Sequence, residues 1–340
     1  MKDIRIYNFD KSKDTDVIYS LTKYARDVKE FYISRSWELG PHIVITFGET
    51  TSLETIEDIK QKLEQDVRMI HVSEVEQGKI RQQYMKSVEA MAALEKKDVH
   101  DGFNHHGTVV VVDNAFHYYN TQLTNLIHQM RFELQPLLTD VYWEIHGNAN
   151  FPMEALSPVL FHGVSESYKK DQQNKGYFSF ISHVHGFFEL SKKQSLSFSE
   201  EQFEQLFQKN LPAMERATRE KAELIEVWTA SWKKLFDDYK SLINGQIDEA
   251  YKTNIVSSFS DLEEGFTNDF HKRFVEYAKS TDFVNDQDAT IYRFVINVLY
   301  LSLPFLKISA LKKQLFIYMS YRYTEESYGT NWRKEIKVTV

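Results

Sequence analysis

Residues 32–47 place the strongest constraint on the fold of this chain. Two extended runs flank a Leu-Gly-Pro turn at residues 39–41. In the second run, from His42 to Phe47, large apolar side chains occupy every other position, which is the period of a strand with one buried face. This pattern predicts an antiparallel hairpin near the N-terminus.

The composition excludes several classes of protein. The chain has 340 residues and is 42% hydrophobic, enough to build the core of one large domain or two ordinary ones. A net charge of −8 argues against a general nucleic-acid binder, which normally carries a basic face. The sequence contains no cysteine, so disulfides, thiolate metal ligands and cysteine nucleophiles are excluded.

Targeting and membrane-spanning segments are not expected. The first ten residues carry charges where a signal peptide needs an apolar core. No later run approaches the roughly 20 apolar residues of a spanning helix. We therefore predict a cytoplasmic protein that binds no membrane.

The N-terminal part of the sequence mixes helical and strand periodicity. Apolar residues at helical spacing predict one helix from Val17 to Val28 and a second from Ile56 to Val67. The polar segment 79–98 is typical of a solvated helix or a mobile arm. Strands are predicted where β-branched and aromatic residues cluster, at residues 107–113, 142–146 and 176–186.

Helical spacing dominates after residue 199. Ser199 to Gln202 is typical of a capping box that begins a helix. Further apolar helices are predicted within residues 215–240 and 291–318, the latter interrupted near Pro304. We therefore expect an α+β fold, with a strand-rich N-terminal half packed with a mainly helical C-terminal half. The chain is interpreted as a single catalytic domain over residues 1–340, or as two subdomains, 1–190 and 191–340.

Two histidines are candidates for a metal site. On a strand, His183 and His185 would project from the same side, which can begin such a site. No carboxylate or third histidine stands at a recognisable spacing, and most paired histidines are hydrogen-bonded or surface residues. We therefore predict no metal.

Arg293 and Asn297 interrupt an otherwise apolar helical segment. They are four residues apart and face the same way on a helix. A buried charge requires partners, because an unpaired one is very costly. The stripe therefore faces water, includes an internal ion pair, or forms the wall of a polar pocket.

Residues 32–47 resemble a segment of the C-terminal, glutamate-eliminating part of lantibiotic dehydratases and of related stand-alone proteins of thiopeptide biosynthesis. The family carries two arginines on the second strand, where this chain has Val44 and Thr46. The positions that match the family are Arg35, Trp37, Gly40, Pro41, His42 and Phe47.

The helix with Arg293 adds to the resemblance. The eliminating enzymes carry a histidine four residues before an asparagine, and alignment of that asparagine on Asn297 places Arg293 at the histidine position. In those enzymes the histidine and the strand arginines serve the elimination of glutamate from glutamylated serine or threonine. Because Val44, Thr46 and Arg293 stand in their places, the resemblance argues against this reaction here.

The same helix is more similar to that of the thiopeptide pyridine synthases, which are stand-alone proteins of about this length. The resemblance implies the fold of the dehydratase elimination domain. It also implies that two dehydroalanines of a modified precursor peptide are joined in a formal four-plus-two aza-cycloaddition. Loss of water and of the leader peptide then gives the pyridine and the macrocycle. No cofactor is implied. The expected partners are the leader-bearing precursor peptide and other biosynthetic enzymes, and a homodimer is left open.

Such a reaction needs two distant groups held in near-attack geometry, together with proton donors and acceptors. The candidates for proton transfer are His42, His183 and Tyr292. Arg293 and Asn297 are the candidates to polarise a carbonyl or orient the peptide. The predicted site comprises the catalytic set His183, Tyr292, Arg293 and Asn297 and the substrate-binding pair Arg35 and His42.

Two other functions fit the same residues. One is glutamate elimination with other residues in place of those that are missing. The other is a non-catalytic scaffold that binds a precursor peptide and presents it to partner enzymes.

Overall fold

The structure is a computed structural model that describes residues 1–95, 98–99, 102–147, 151–170, 172–194, 198–254, 257, 268–280 and 286–336. Its chain divides into two compact units. The first comprises Met1–Tyr142 and Pro304–Lys307, and the second comprises Trp143–Leu303 and Ile308–Val340. The boundary after Tyr142 differs from the 190/191 boundary considered from the sequence.

The first unit is built around an antiparallel sheet. Its strands are β1 (Lys2–Ile6), β2 (Phe31–Ser36), β3 (His42–Phe47) and β4 (Val109–Asp113), in the order β2-β3-β1-β4. All six residues of β3 are buried, because this strand is internal to the sheet. The sequence pattern predicted only one buried face for it.

The predicted hairpin is confirmed. Strand β2 pairs with β3 in a register that sets Arg35 opposite Ile43. The turn requires glycine at position 40, where φ is +114°, and an added Cβ would lie 3.1 Å from the ring of Phe103.

The predicted helices of the first unit are also confirmed. Helix α1 spans Asp14–Tyr24, and α2 spans Leu53–Arg68. The polar segment forms α3 (Glu74–Glu95), and residues 96 and 97 of that segment lie outside the described residues. Helix α4 (Thr121–His146) begins in the first unit and ends in the second.

The second unit is mainly helical. A two-stranded ladder, β5 (Lys169–Lys170) with β6 (Gln173–Asn174), follows its first complete helix. Its core contains the tryptophans Trp228 and Trp232, both 0% exposed. Its helices are α5 (Met153–Ser165), α6 (Tyr177–Lys193), α7 (Glu200–Glu220), α8 (Ala222–Asn244), α9 (Asp269–Ser280), α10 (Gln287–Ser302), α11 (Ala310–Tyr328) and α12 (Trp332–Glu335).

The C-terminal helix predictions are confirmed in detail. Ser199 caps α7 through a complete capping box with Gln202. Helices α10 and α11 occupy the segment predicted to hold two helices, and Pro304 lies between them. Strands near the N-terminus and helices after them make the fold α+β, as expected. None of the described helices is long and apolar enough to cross a membrane.

Two strand predictions were wrong. Residues 142–146 form the last turn of α4, and residues 177–186 lie inside α6. The buried positions of α6 include residues 177, 180, 181 and 184, which is helical spacing. Aromatic and β-branched residues favour strands in isolation, but packing of α6 against α11 and α9 overrides that preference.

The correction to α6 changes the interpretation of its two histidines. Residues two apart on a helix point in nearly opposite directions. His183 is accordingly exposed, whereas His185 is 6% exposed and stacks on Phe270. The geometric reason for considering a metal at this pair is therefore lost.

Candidate functional site

Helix α10 presents a polar stripe on one side. Asp286 caps its N-terminus by accepting a hydrogen bond from the backbone N–H of Ala289 at 3.1 Å. Most residues of the helix are buried, but Arg293, Asn297 and Tyr300 are partly exposed. Their spacing of four and three residues places them along one face. We call these three residues the α10 stripe.

Arg293 is a cation held close to the core. Burial lowers the pKa of its guanidinium to about 10, while the nearby Asp286 carboxylate acts in the opposite direction. Asp286 also forms an ion pair with Lys170, whose Nζ lies 2.7 Å from Asp286 Oδ2. Arg293 therefore stays protonated at neutral pH in an environment that strengthens its electrostatic interactions.

Tyr292 precedes the stripe and is buried, with an exposed fraction of 2%. Its ring stacks on that of Tyr168 at a centroid distance of 5.5 Å. Among the described residues its hydroxyl has no hydrogen-bond partner. Burial raises the pKa of the phenol well above its usual value, so the hydroxyl stays protonated. It is therefore a hydrogen-bond donor with no acceptor among the described residues.

Gly176 sets the space available to Tyr292. A Cβ at position 176 would lie 2.9 Å from the Tyr292 hydroxyl and closer still to the backbone oxygen of Ser165. We expect Gly176→Ala to lower the free energy of unfolding by about 1–3 kcal/mol, because the added methyl overpacks the site. Urea unfolding measures this loss of stability, provided that the m-value is the same in the wild type and the variant.

The control for that substitution is Gly78→Ala. Gly78 is exposed on α3, and apart from the adjoining backbone of its own helix no described atom lies within 4 Å of its Cβ position. We expect it to raise stability by up to about 1 kcal/mol, the difference in helix propensity. Equal stability of the two variants would contradict the close approach at Gly176.

His183 meets the stripe at its C-terminal end. It lies on α6, where its Nδ1–H donates to the Ser179 carbonyl oxygen at 2.9 Å. Its ring contacts the Tyr300 ring edge-on at 4.9 Å. The four predicted catalytic residues therefore lie on two helices, with Tyr292, Arg293 and Asn297 on α10 and His183 on α6. His183 contacts α10 at Tyr300.

Arg35 and His42, the predicted substrate-binding pair, lie in the first unit. The Arg35 Nη1–H donates to Asp14 Oδ2 at 2.9 Å, and Lys307 Nζ lies 3.4 Å from the same oxygen. In the described part of the chain, Arg35 Nε and Nη2 have no hydrogen-bond partner. His42 is only 4% exposed, and its Nδ1–H donates to the Gly40 carbonyl at 2.8 Å. Its ring therefore contributes to the hairpin turn.

Arg131, which lies near Thr46 of the sheet, was not predicted from the sequence. Thr46 donates to Asp3 Oδ1 at 2.8 Å. Arg131 of α4, 5% exposed, lies 3.6 Å from the ring centroid of Tyr32, the residue paired with Thr46. A helix therefore supplies a buried guanidinium beside Tyr32, the strand residue paired with Thr46. The signal was available, since His128 and Arg131 share one face of an apolar helix.

A second missed feature is a cavity of about 310 Å³ in the second unit. Arg322 lies in its wall between two glutamates. Its Nη1–H donates to Glu325 Oε2 at 2.6 Å, and its Nε–H donates to Glu204 Oε2 at 2.9 Å. The i, i+3 spacing of Arg322 and Glu325 was the available sequence signal. The cavity is lined by Glu200, Glu201, Glu204, Tyr318, Tyr321, Arg322, Glu325, Asn331, Trp332 and Arg333.

Metal ligands do not converge in the described residues, where no group of three or more His, Cys, Asp or Glu side chains could hold an ion. The chemistry that the described sites offer consists of cationic and hydroxyl hydrogen-bond donors with imidazole and carboxylate acceptors.

No protein-family model matches the sequence, and no curated protein is similar to it at a significant level. Solved structures do share its fold. The chain is similar to the pyridine synthase TbtD from thiomuracin biosynthesis, with a TM-score of 0.63 and 15% identity, over 96% of this chain and 98% of that one. It is also similar to TsrL, with a TM-score of 0.51 and 14% identity, over 99% of this chain and 97% of that one.

Proposed function

We propose that this chain is a pyridine synthase of thiopeptide biosynthesis. It joins two dehydroalanines of a modified precursor peptide in a formal four-plus-two aza-cycloaddition. Water and the leader peptide are then lost, giving the pyridine and closing the macrocycle. The observation that carries the proposal is the similarity of fold to TbtD across almost the whole of both chains.

The α10 stripe suits the positioning part of this reaction. Ring formation requires an amide to be held as its imidic-acid tautomer while the second alkene approaches. A guanidinium at Arg293 and an amide at Asn297 are hydrogen-bonding groups fixed on a rigid helix, so they need little reorganisation to orient a carbonyl. The aromatic rings of Tyr300, within the stripe, and of Tyr168, which stacks on Tyr292, suit contact with azole rings.

Proton transfer is assigned to His183 and Tyr292. His183 lies against the stripe at Tyr300. Desolvation lowers the pKa of its imidazole to about 4, so the ring is neutral at pH 7 and can accept a proton. Tyr292 holds a protonated hydroxyl at the start of the stripe. Loss of water and of the leader amide both require a proton at the leaving group, which Tyr292 would supply, and a base to take up a proton, which His183 would supply. Arg35 and His42 keep their proposed part in binding the precursor peptide.

The decisive experiment is incubation of the purified protein with a leader-bearing peptide that contains azoles and two dehydroalanines. We expect mass spectrometry to detect a macrocycle and a released leader fragment. An unchanged peptide mass would refute the proposal. Tight leader binding with no mass change would favour the scaffold function, and loss of glutamate from a glutamylated peptide would favour elimination.

The variant Tyr292→Phe tests the buried hydroxyl. We expect its free energy of unfolding to equal that of the wild type or exceed it by about 1 kcal/mol, because an unpartnered buried hydroxyl is removed. Turnover is expected to fall about 100-fold or more, the usual contribution of a positioned proton donor. Chemical denaturation and product formation by mass spectrometry measure the two effects. Unchanged turnover would remove Tyr292 from the reaction.

A further inference from the structure

A serine, a histidine, an asparagine and a glutamate are joined by hydrogen bonds in the second unit. Ser182 Oγ lies 3.1 Å from His271 Nε2, and His271 Nδ1 lies 3.0 Å from Asn268 Oδ1. Asn268 Nδ2–H donates to Glu189 Oε2 at 2.7 Å. Ser182 and Glu189 belong to α6, and His271 belongs to α9.

The orientation of the Asn268 amide is set by two neighbours. Its Oδ1 accepts the backbone N–H of His271 at 3.0 Å, which caps α9, and its Nδ2 donates to Glu189. With a proton on His271 Nδ1, that N–H donates to Oδ1 and leaves Nε2 as an acceptor for the Ser182 hydroxyl. The reverse tautomer would accept at Nδ1 from Nδ2, 2.7 Å away, and donate from Nε2 to Ser182. In the first tautomer His271 Nε2 can accept the proton of the Ser182 hydroxyl, and in the second it cannot.

The surroundings allow the pair to react. His271 is 1% exposed, and burial lowers its pKa to about 4. His183 adds to the shift, whereas Glu189 and a hydrogen bond with the Ser182 backbone act against it. The imidazole is therefore neutral at pH 7 and able to accept a proton. Ser182 is partly exposed to solvent, whereas His271 is buried.

We propose that Ser182 is a nucleophile activated by His271, with Asn268 as a positioning residue, and that it accepts acyl groups from activated esters. The Ser182 oxygen forms a bond to the carbonyl carbon while its proton passes to His271 Nε2. The carbon–oxygen bond of the leaving group then breaks, and His271 returns the proton to the departing alcohol. Water from solvent hydrolyses the acyl-serine by the same proton transfers. The reaction at Ser182 does not rest on the proposed pyridine formation.

A fluorophosphonate probe tests the nucleophile without any peptide substrate. The serine oxygen displaces fluoride from phosphorus, and its proton leaves through His271. We expect a single adduct, mapped to Ser182 by tandem mass spectrometry, and no adduct in Ser182→Ala. His271→Gln should slow labelling by about 100-fold or more. An unlabelled Ser182 in the wild type, or an unchanged rate in His271→Gln, would overturn the proposal.

The matched control is Ser179→Ala. Ser179 lies one turn earlier on α6 and is also partly exposed. Its removal should leave both the rate and the site of labelling unchanged. Labelling spread over both serines would contradict selective activation of Ser182.

The variant Asn268→Ser tests whether Asn268 positions the His271 ring in addition to capping α9. Serine also caps helices, so the thermal stability of α9 should be maintained. Its short side chain does not hold His271 Nδ1, so the maximal labelling rate should fall by at least about tenfold while the half-saturating probe concentration stays constant. An unchanged maximal rate would show that Asn268 only caps the helix, and would remove the positioning part of the proposal.

Discussion

Arg322→Met is expected to lower the free energy of unfolding by about 3–5 kcal/mol at pH 7, because it leaves a buried carboxylate without its cation. Glu325 is 3% exposed and accepts both the Arg322 guanidinium at 2.6 Å and the Trp332 backbone N–H at 2.8 Å. Glu204, on the other side of Arg322, would lose two hydrogen bonds as well. Urea unfolding at pH 7 measures the loss.

The loss should depend on pH in a defined direction. Burial already raises the pKa of Glu325, and hydrogen bonds from Trp332 and Arg322 only partly offset it. Without the guanidinium, the pKa in the folded state rises further above that of the unfolded state. The cost is therefore present at neutral pH and shrinks as pH falls towards the carboxyl pKa of the unfolded chain, where Glu325 is protonated in both states.

Two further variants serve as controls for Arg322→Met. Arg333 is exposed and lies 3.8 Å from the exposed Asp269 carboxylate, so Arg333→Met should cost less than about 1 kcal/mol. The double variant Arg322→Met with Glu325→Gln should recover part of the lost stability, because the unpaired charge is gone. Equal stability of Arg322→Met and Arg333→Met would contradict the importance of the buried pair.

Arg293→Ala is expected to reduce pyridine formation by about 100-fold to 1,000-fold, the usual effect of removing one fixed hydrogen-bond donor from a developing charge. This prediction follows from the proposed function and from the place of Arg293 in the α10 stripe. Single-turnover kinetics with the dehydrated peptide, followed by mass spectrometry, measure the chemical step separately from product release.

Three observations separate this effect from unfolding or loss of net charge. Arg293→Lys keeps the charge but loses the planar, forked guanidinium, so its rate of pyridine formation should lie between those of the wild type and Arg293→Ala. Arg68→Ala removes the same charge from an exposed helical site in the first unit and should leave turnover unchanged. The circular dichroism spectrum of Arg293→Ala should match that of the wild type. Wild-type kinetics in a folded Arg293→Ala protein would remove this residue from the site.

The candidate site was partly predictable because its signals are local. Arg293 and Asn297 share a stripe for reasons of helical spacing alone. The burial of Tyr292 under Tyr168, and its close approach to Gly176, depend on chain segments more than 100 residues away in sequence, and no periodicity reports them. Helical spacing could have pointed to Arg131 and to the Arg322–Glu325 pair, but the contacts of Arg131 with Tyr32 and of Arg322 with Glu204 join distant segments that spacing does not reveal.

The hairpin of residues 32–47 and the capping box at Ser199 were determined by the sequence itself. Both rest on interactions within a few residues: the positive φ that only glycine adopts easily at position 40, and hydrogen bonds between residues 199 and 202. Only the tertiary structure decided that residues 177–186 form a helix, which set His183 and His185 apart. It also decided that Ser182 meets His271, 89 residues further along the chain. Burial and pairing between distant segments outweigh local propensity, and these depend on the whole fold.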